Sequence, residues 1–155
     1  MYRVSEEVES VQSDPVDPVP DPDPDAAFAV GIFDYERLDA YKVSIQFVGE
    51  ASHLISHLPP GHSSLAQQLY RASISIPLNI AEGCGEFSRK DKARFYRIAL
   101  RSATECAAIL DICKELELTG SQMIQSGRGL LLRIVAMLTA MARKYSGSGS
   151  GSGSN

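Results

Sequence analysis

The segment SIPLNIAEGCGEFSRKDKARFYRIALRSATE, Ser75 to Glu105, holds the end of one helix, a break and the start of another. Ile76 and Ile80 continue an apolar stripe that begins with Leu65, Leu69 and Ala72, which predicts a helix from about Ser63 to Glu82. Pro77 lies inside it and removes the bond to the Ser73 carbonyl, so a kink is expected there. Gly83 and Gly85 read as stop signals. Ser88 with Asp91 three residues on has the spacing of a capping box, marking a new helix start. From there Phe95, Ala99, Ser102, Cys106, Ile109, Cys113 and Leu116 recur in a 4-3-4-3 rhythm, which predicts a long helix with these residues inward.

The same periodicity extends outward on both sides. Upstream, Asp34 reads as an N-cap, with Phe33 and Leu38 placed as a hydrophobic staple. Leu38, Tyr41, Ile45, Val48 and Ile55 then form the expected inner stripe of a first helix, which Pro59, Pro60 and Gly61 end. Downstream, Gly120 breaks the chain. A fourth helix should run from about Ser121 to Tyr145, with Ile124, Leu131, Ile134, Leu138, Met141 and Tyr145 inward. Gly127 and Gly129 predict fraying of its first turns. No segment alternates with period two, so no strand is expected. Four helices with short connections favour an all-α, antiparallel up-down-up-down four-helix bundle. Phe47, Ile112, Leu130, Leu132 and Val135 fall off the inner stripes. Self-association would cover such surplus apolar surface.

Residues 1–32 and 146–155 read differently. DPVDPVPDPDPD, Asp14 to Asp25, alternates Pro with Asp, which disfavours packing and predicts a disordered acidic tail. SGSGSGSGSN, Ser146 to Asn155, reads as a flexible Ser/Gly tail or an appended linker. That leaves 33–145 for the bundle. Up to Gly31 there are eight acids and one base, a sum of −7; the remainder holds fourteen bases and eleven acids, a sum of +3. A basic domain beside an acidic tail raises a polyanionic partner, and the tail could screen the basic residues.

Met1 to Val11 is charged and has no apolar run, so no signal peptide is expected. No stretch reaches the length of a membrane span. Both point to a soluble, cytoplasmic protein with no membrane partner. The three Cys fit no zinc spacing. Cys106 and Cys113, seven apart on one helix, sit roughly 10 Å apart along its axis and cannot pair. They read as reduced core residues.

The Ser75–Glu105 run resembles the bacterial four-helix-bundle proteins named after intervening sequences in 23S rRNA genes. Their pattern is close to S-I-P-x-N-I-A-E-G-x-G, then K-x-x-F/R-F-x-x-I-A-x-x-S-x-x-E. Ser75, Ile76, Pro77, Asn79, Ile80, Ala81, Glu82, Gly83 and Gly85 match the first part, and Arg94, Phe95, Ile98, Ala99, Ser102 and Glu105 the second. FDYERLDAYKVSIQFV, Phe33 to Val48, resembles the family's usual beginning. The resemblance implies a four-helix bundle, a homopentamer and no established catalytic activity. More distantly similar are accessory proteins of diversity-generating retroelements, which are strongly basic and work with nucleic acid. The mild charge of this bundle and its acidic tail depart from them.

Three constellations could carry function. Arg89, Lys90, Lys92, Arg94, Arg97 and Arg101 crowd the start of the third helix against one acid, Asp91. They could contact nucleic acid, or they could be an ordinary solvated face or a subunit contact. No aromatics are interleaved to stack single-stranded bases. The motif residues Ser75, Pro77, Asn79, Glu82, Gly83, Ser102 and Glu105 read as a structural set. Their polar members could fix helix register, or line a small-ligand pocket. Glu50-x-x-His53, with His57, is a single E-x-x-H unit where di-iron bundles use two, so no metal site is expected. No triad, Walker or dinucleotide pattern occurs.

The sequence therefore predicts a non-enzyme without cofactors. The expectation is a homo-oligomeric, pentameric scaffold or adaptor for a protein partner. The alternative is a nucleic-acid-binding accessory protein using the basic stripe.

Overall fold

Amphipathic periodicity without strand patterning becomes four helices: α1 (Asp39–Ser56), α2 (Ser63–Gly85), α3 (Arg89–Glu115) and α4 (Ser121–Ser146). The computed structural model describes residues 32–147, so the acidic Pro-rich tail and most of the Ser/Gly tail lie outside the described residues. α1 packs on α2 and α4, and α3 packs on the same two, while the diagonal pairs do not meet at the backbone. Contacts across the long axis set the directions. Ser126 on early α4 donates to Glu50 on late α1. Arg89 at the start of α3 reaches Lys144 at the end of α4. The bundle is antiparallel, as short connections require.

The first helix departs from its expected start. Asp34–Arg37 is a 3-10 turn, and the Glu36 carboxylate accepts from the Phe33 N–H. Leu38 then breaks the turn, and α1 starts at Asp39. Asp34 is therefore not the cap of α1.

The buried face of α1 also differs from the expected stripe. Ala40, Val43, Ser44, Phe47, Ala51 and Leu54 are buried. Phe47, expected outside, is 1% exposed, and Ile45, expected inside, is 47% exposed. The reason is that α1 has two apolar sides, and small residues let only one approach its neighbours closely. Ala40, Ser44 and Ala51 leave room for the Phe47 ring. Gly127 on α4 completes that room: a Cβ there would lie 3.0 Å from Leu110 Cδ1 and 3.7 Å from Phe47 Cε2. Gly127 thus sits buried in a continuous α4, and no break marks its first turns.

The stripes of α2 and α4 follow expectation more closely. Leu69, Ala72, Ile76 and Ile80 are buried on α2, and Ile124, Leu131, Ile134 and Leu138 on α4. Leu130 and Val135 pack partly buried against this core, while Ile112 and Leu132 are exposed. On α3, Tyr96 takes the buried place expected of Phe95, and Leu116 is exposed.

Helix ends show where the chain chemistry acts. The Ser88 hydroxyl accepts from the Asp91 N–H, as its spacing predicts. Gly83 does not stop α2 but lies buried within it. A Cβ at Gly83 would fall 2.8 Å from Tyr96 Cε1, so glycine permits the close approach of α2 and α3. α3 ends on a Schellman motif. The Leu118 N–H donates to the Cys113 carbonyl and the Glu117 N–H to the Lys114 carbonyl, with Glu117 in the left-handed region at φ 51°. Gly120 instead caps the start of α4.

Candidate functional site

Of the six α3 cations, Arg89, Lys90, Arg94, Arg97 and Arg101 are exposed and Lys92 is half-buried, and they differ in their partners. Lys92 turns toward the end of α2, where its Nζ donates to the Cys84 carbonyl at 2.7 Å and the Gly83 carbonyl at 3.3 Å. It satisfies carbonyls that a helix C-terminus leaves without partners. Arg89 donates to the Lys144 carbonyl at 2.5 Å. Arg97 donates to the Ser146 hydroxyl at 2.7 Å, and that hydroxyl donates to the Ala142 carbonyl. These two arginines therefore clasp the end of α4. Arg94 lies over the Phe95 ring and 3.8 Å from the Asp91 carboxylate. Lys90 and Arg101 point outward and exposed.

At this end lies an open cleft of about 370 Å³ lined by Arg89, Lys90, Ala93, Arg97, Tyr145, Ser146 and Gly147. Arg89, Lys144 and Lys92 stand 5.3, 5.5 and 5.9 Å from the centre of the Tyr145 ring. Among the described residues, carboxylate pairs form only at Lys42–Asp39, Arg94–Asp91 and Arg128–Asp111. The cleft's cations have no such partner there. Sequence reasoning missed Lys144, Tyr145 and Ser146 as parts of this end, because 49 to 55 residues separate them from their partners on α3.

The motif residues divide into a network and a rim. Asn79 Nδ2 donates to the Ser75 carbonyl at 2.8 Å and to Ser75 Oγ at 3.0 Å. Ser102 Oγ donates to Ser75 Oγ at 2.9 Å, tying α3 to α2 at one height. Asn79 thus braces the helix just past Pro77. Glu82 and Glu105 are exposed and outside this network, because their places on α2 and α3 turn past the shared seam. Glu105 instead rims a polar recess with Gln68, Arg71, Ser75 and Ser102.

A charge-free outer face was not anticipated as such. At about 100° per residue, Tyr41, Ile45, Val48, Ser52 and Ile55 fall within one narrow arc of α1, and Tyr70, Ile74, Leu78 and Ala81 within one of α2. Ile55 and Tyr70 line the same recess, with Arg71 at its edge, which places the two stripes side by side. Ile45, Tyr70 and Leu78 are 47%, 57% and 60% exposed. Of the α1 stripe read from the sequence as inward, Leu38, Tyr41 and Ile55 pack partly buried against the core, while Ile45 belongs to this second side.

His53 and His57 stack edge-on at 4.5 Å between ring centres, and His57 Nδ1 meets the His53 carbonyl. Glu50 accepts from Ser126. Among the described residues no three His, Cys, Asp or Glu side chains converge as metal ligands. Cys106 and Cys113 are buried free thiols. Burial pushes the Cys106 thiol up to about 12 and raises Cys113 as well, the opposite of what a nucleophile needs. No helix among the described residues is long and apolar enough to cross a membrane.

A family model described as 23S rRNA-intervening sequence protein matches residues 36–140. No curated protein matches the chain. Among solved structures, a protein of unknown function from the S23 ribosomal protein family of Bacteroides thetaiotaomicron VPI-5482 is similar, with a TM-score of 0.63. Identity is 23%, and the match covers 67% of this chain and 98% of that one. At this identity the likeness concerns the fold.

Proposed function

The chain belongs to the family of 23S rRNA-intervening sequence proteins, and from that premise we propose that it is a non-catalytic scaffold, a homo-oligomer of five copies that holds a protein partner. The observation that carries this reading is the outer face of α1 and α2. Nine neighbouring positions there hold no charge, and three of their large side chains stand about half exposed or more. Burying such a face stabilises association by roughly 25 cal/mol per Å² of apolar surface, and in a ring of five it would meet a different apolar patch on the next copy, such as that around exposed Ile112 and Leu132. Light scattering on the full chain at micromolar concentration tests it. The expected mass is that of five copies, and Ile45→Lys with Leu78→Lys should dissociate the assembly while each subunit stays helical. A monomer in the unaltered chain would sink the reading.

A second reading, a nucleic-acid accessory protein, is favoured by one observation. Lys90, Arg94 and Arg101 remain exposed on α3 after Arg89, Lys92 and Arg97 have been drawn into bonds within the bundle. A filter-binding series across salt should show a steep slope. Changing Lys90, Arg94 and Arg101 to Ala should lower that slope by about two, at 0.7–0.9 per phosphate contact. Removing Met1 to Val30 takes away the acids of the tail and should strengthen binding at low salt. An unchanged slope in the triple variant counts against this reading.

A further inference from the structure

The end of the bundle where α3 starts and α4 finishes concentrates positive charge, and among the described residues no carboxylate pairs with Arg89, Lys90, Lys92, Arg97 or Lys144. The N-terminus of α3, whose first turn holds Arg89 and Lys90, adds its own partial positive charge. Like charges held this close repel one another, and only part of that cost is met by the carbonyl oxygens at the end of α4. The guanidinium groups of Arg89 and Arg97 each spend one donor on α4. A guanidinium has five N–H donors, so most remain available, and the bonds already made hold both groups in place.

We propose that this cleft binds a phosphate group, with Arg89, Lys90 and Arg97 as its cationic walls and the hydroxyl of Tyr145 as a neutral donor. Two features favour phosphate over a carboxylate. The cleft offers several separate donors, three cations from α3 and a hydroxyl from α4, which suits a tetrahedral group with three or more acceptor oxygens rather than a planar pair. Arginine also matches phosphate through two parallel N–H···O bonds, and two arginines face the same opening. The volume, about 370 Å³, admits the phosphate together with a small group attached to it. Lys90 has no bond within the described residues and supplies a mobile point charge at the mouth. This site stands apart from the scaffold reading, since ring assembly and phosphate binding can each fail alone.

The test is a calorimetric titration of the full chain with inorganic phosphate at low salt, beside chloride and sulfate, with the oligomeric state measured on the same samples. Saturable phosphate binding is expected. Arg97→Gln should weaken it about tenfold or more, the loss of one charge-assisted contact. Lys90→Gln should weaken it too, and since Lys90 makes no bond in the bundle the melting temperature should stay put. Single strands carrying a 5′-phosphate or a 5′-hydroxyl identify the source. A preference for the 5′-phosphate assigns the site to a nucleic-acid end, and binding of inorganic phosphate alone assigns it to a small phosphorylated ligand. Absence of saturable phosphate binding below about 10 mM, or identical affinity in both variants, overturns the proposal. Equal binding of both strands with no binding of inorganic phosphate also overturns it, since that is diffuse attraction to the backbone.

Discussion

Phe47 and Ile45 lie two residues apart on α1 and have opposite fates. Phe47 sits in the space that Gly127 leaves open, touching the centre of the bundle. Its truncation to Ala removes a fully buried ring and should cost about 3–5 kcal/mol. Ile45→Ala removes a side chain that is 47% exposed. Measured on the isolated subunit, it should stay within about 0.5 kcal/mol of the parent. Urea unfolding of both variants, at concentrations where light scattering gives the mass of one chain, checks the contrast. If Ile45→Ala proves the more damaging, the buried face of α1 has been misassigned. Ser75, Asn79 and Ser102 belong at this scale as well. They were expected to be a register-fixing network, and three hydrogen bonds now join them. Glu82 and Glu105 were grouped with them as residues of the same motif and turn out to face solvent.

At the scale of the element, helix ends separate local chemistry from tertiary demand. Ser88 was legible as a cap because capping needs only a hydroxyl and an N–H three residues on. Gly83 was misread as a stop because its reason lies on another helix, in the ring of Tyr96. Glu117 shows a third case. It holds the left-handed position of a Schellman motif without being glycine. An L side chain there costs about 1 kcal/mol or somewhat more. Glu117→Gly should therefore stabilise the subunit by roughly 0.5–1 kcal/mol, the gain reduced by glycine's extra freedom when unfolded. Thermal melts of the two proteins give the sign directly, and a lower melting temperature for Glu117→Gly would contradict the capping geometry. Lys92 belongs here too. Its charge reads in the sequence as part of a basic surface, yet its ammonium serves the last carbonyls of α2.

For the whole molecule, the sequence by itself determined that there are four helices and where three of them start, because periodicity and capping act within a few residues. It also determined the family, through a motif that spans the α2–α3 junction. Only the tertiary structure decided which side of α1 faces in. Both sides of that helix are apolar, so hydrophobicity could not choose between them. The choice fell to small residues and to Gly127 on a distant helix, since close packing depends on shape as well as on polarity. The same holds for the basic residues of α3. Their charge was plain from the chain, but their division into a helix cap, a clasp on α4 and an exposed remainder depended on where α2 and α4 end. The end of α2 is a short loop away, but the end of α4, 49 to 55 residues further along, meets the start of α3 only after the bundle has closed, because hydrogen bonds and charge contacts act over a few ångströms in space and take no account of distance along the chain.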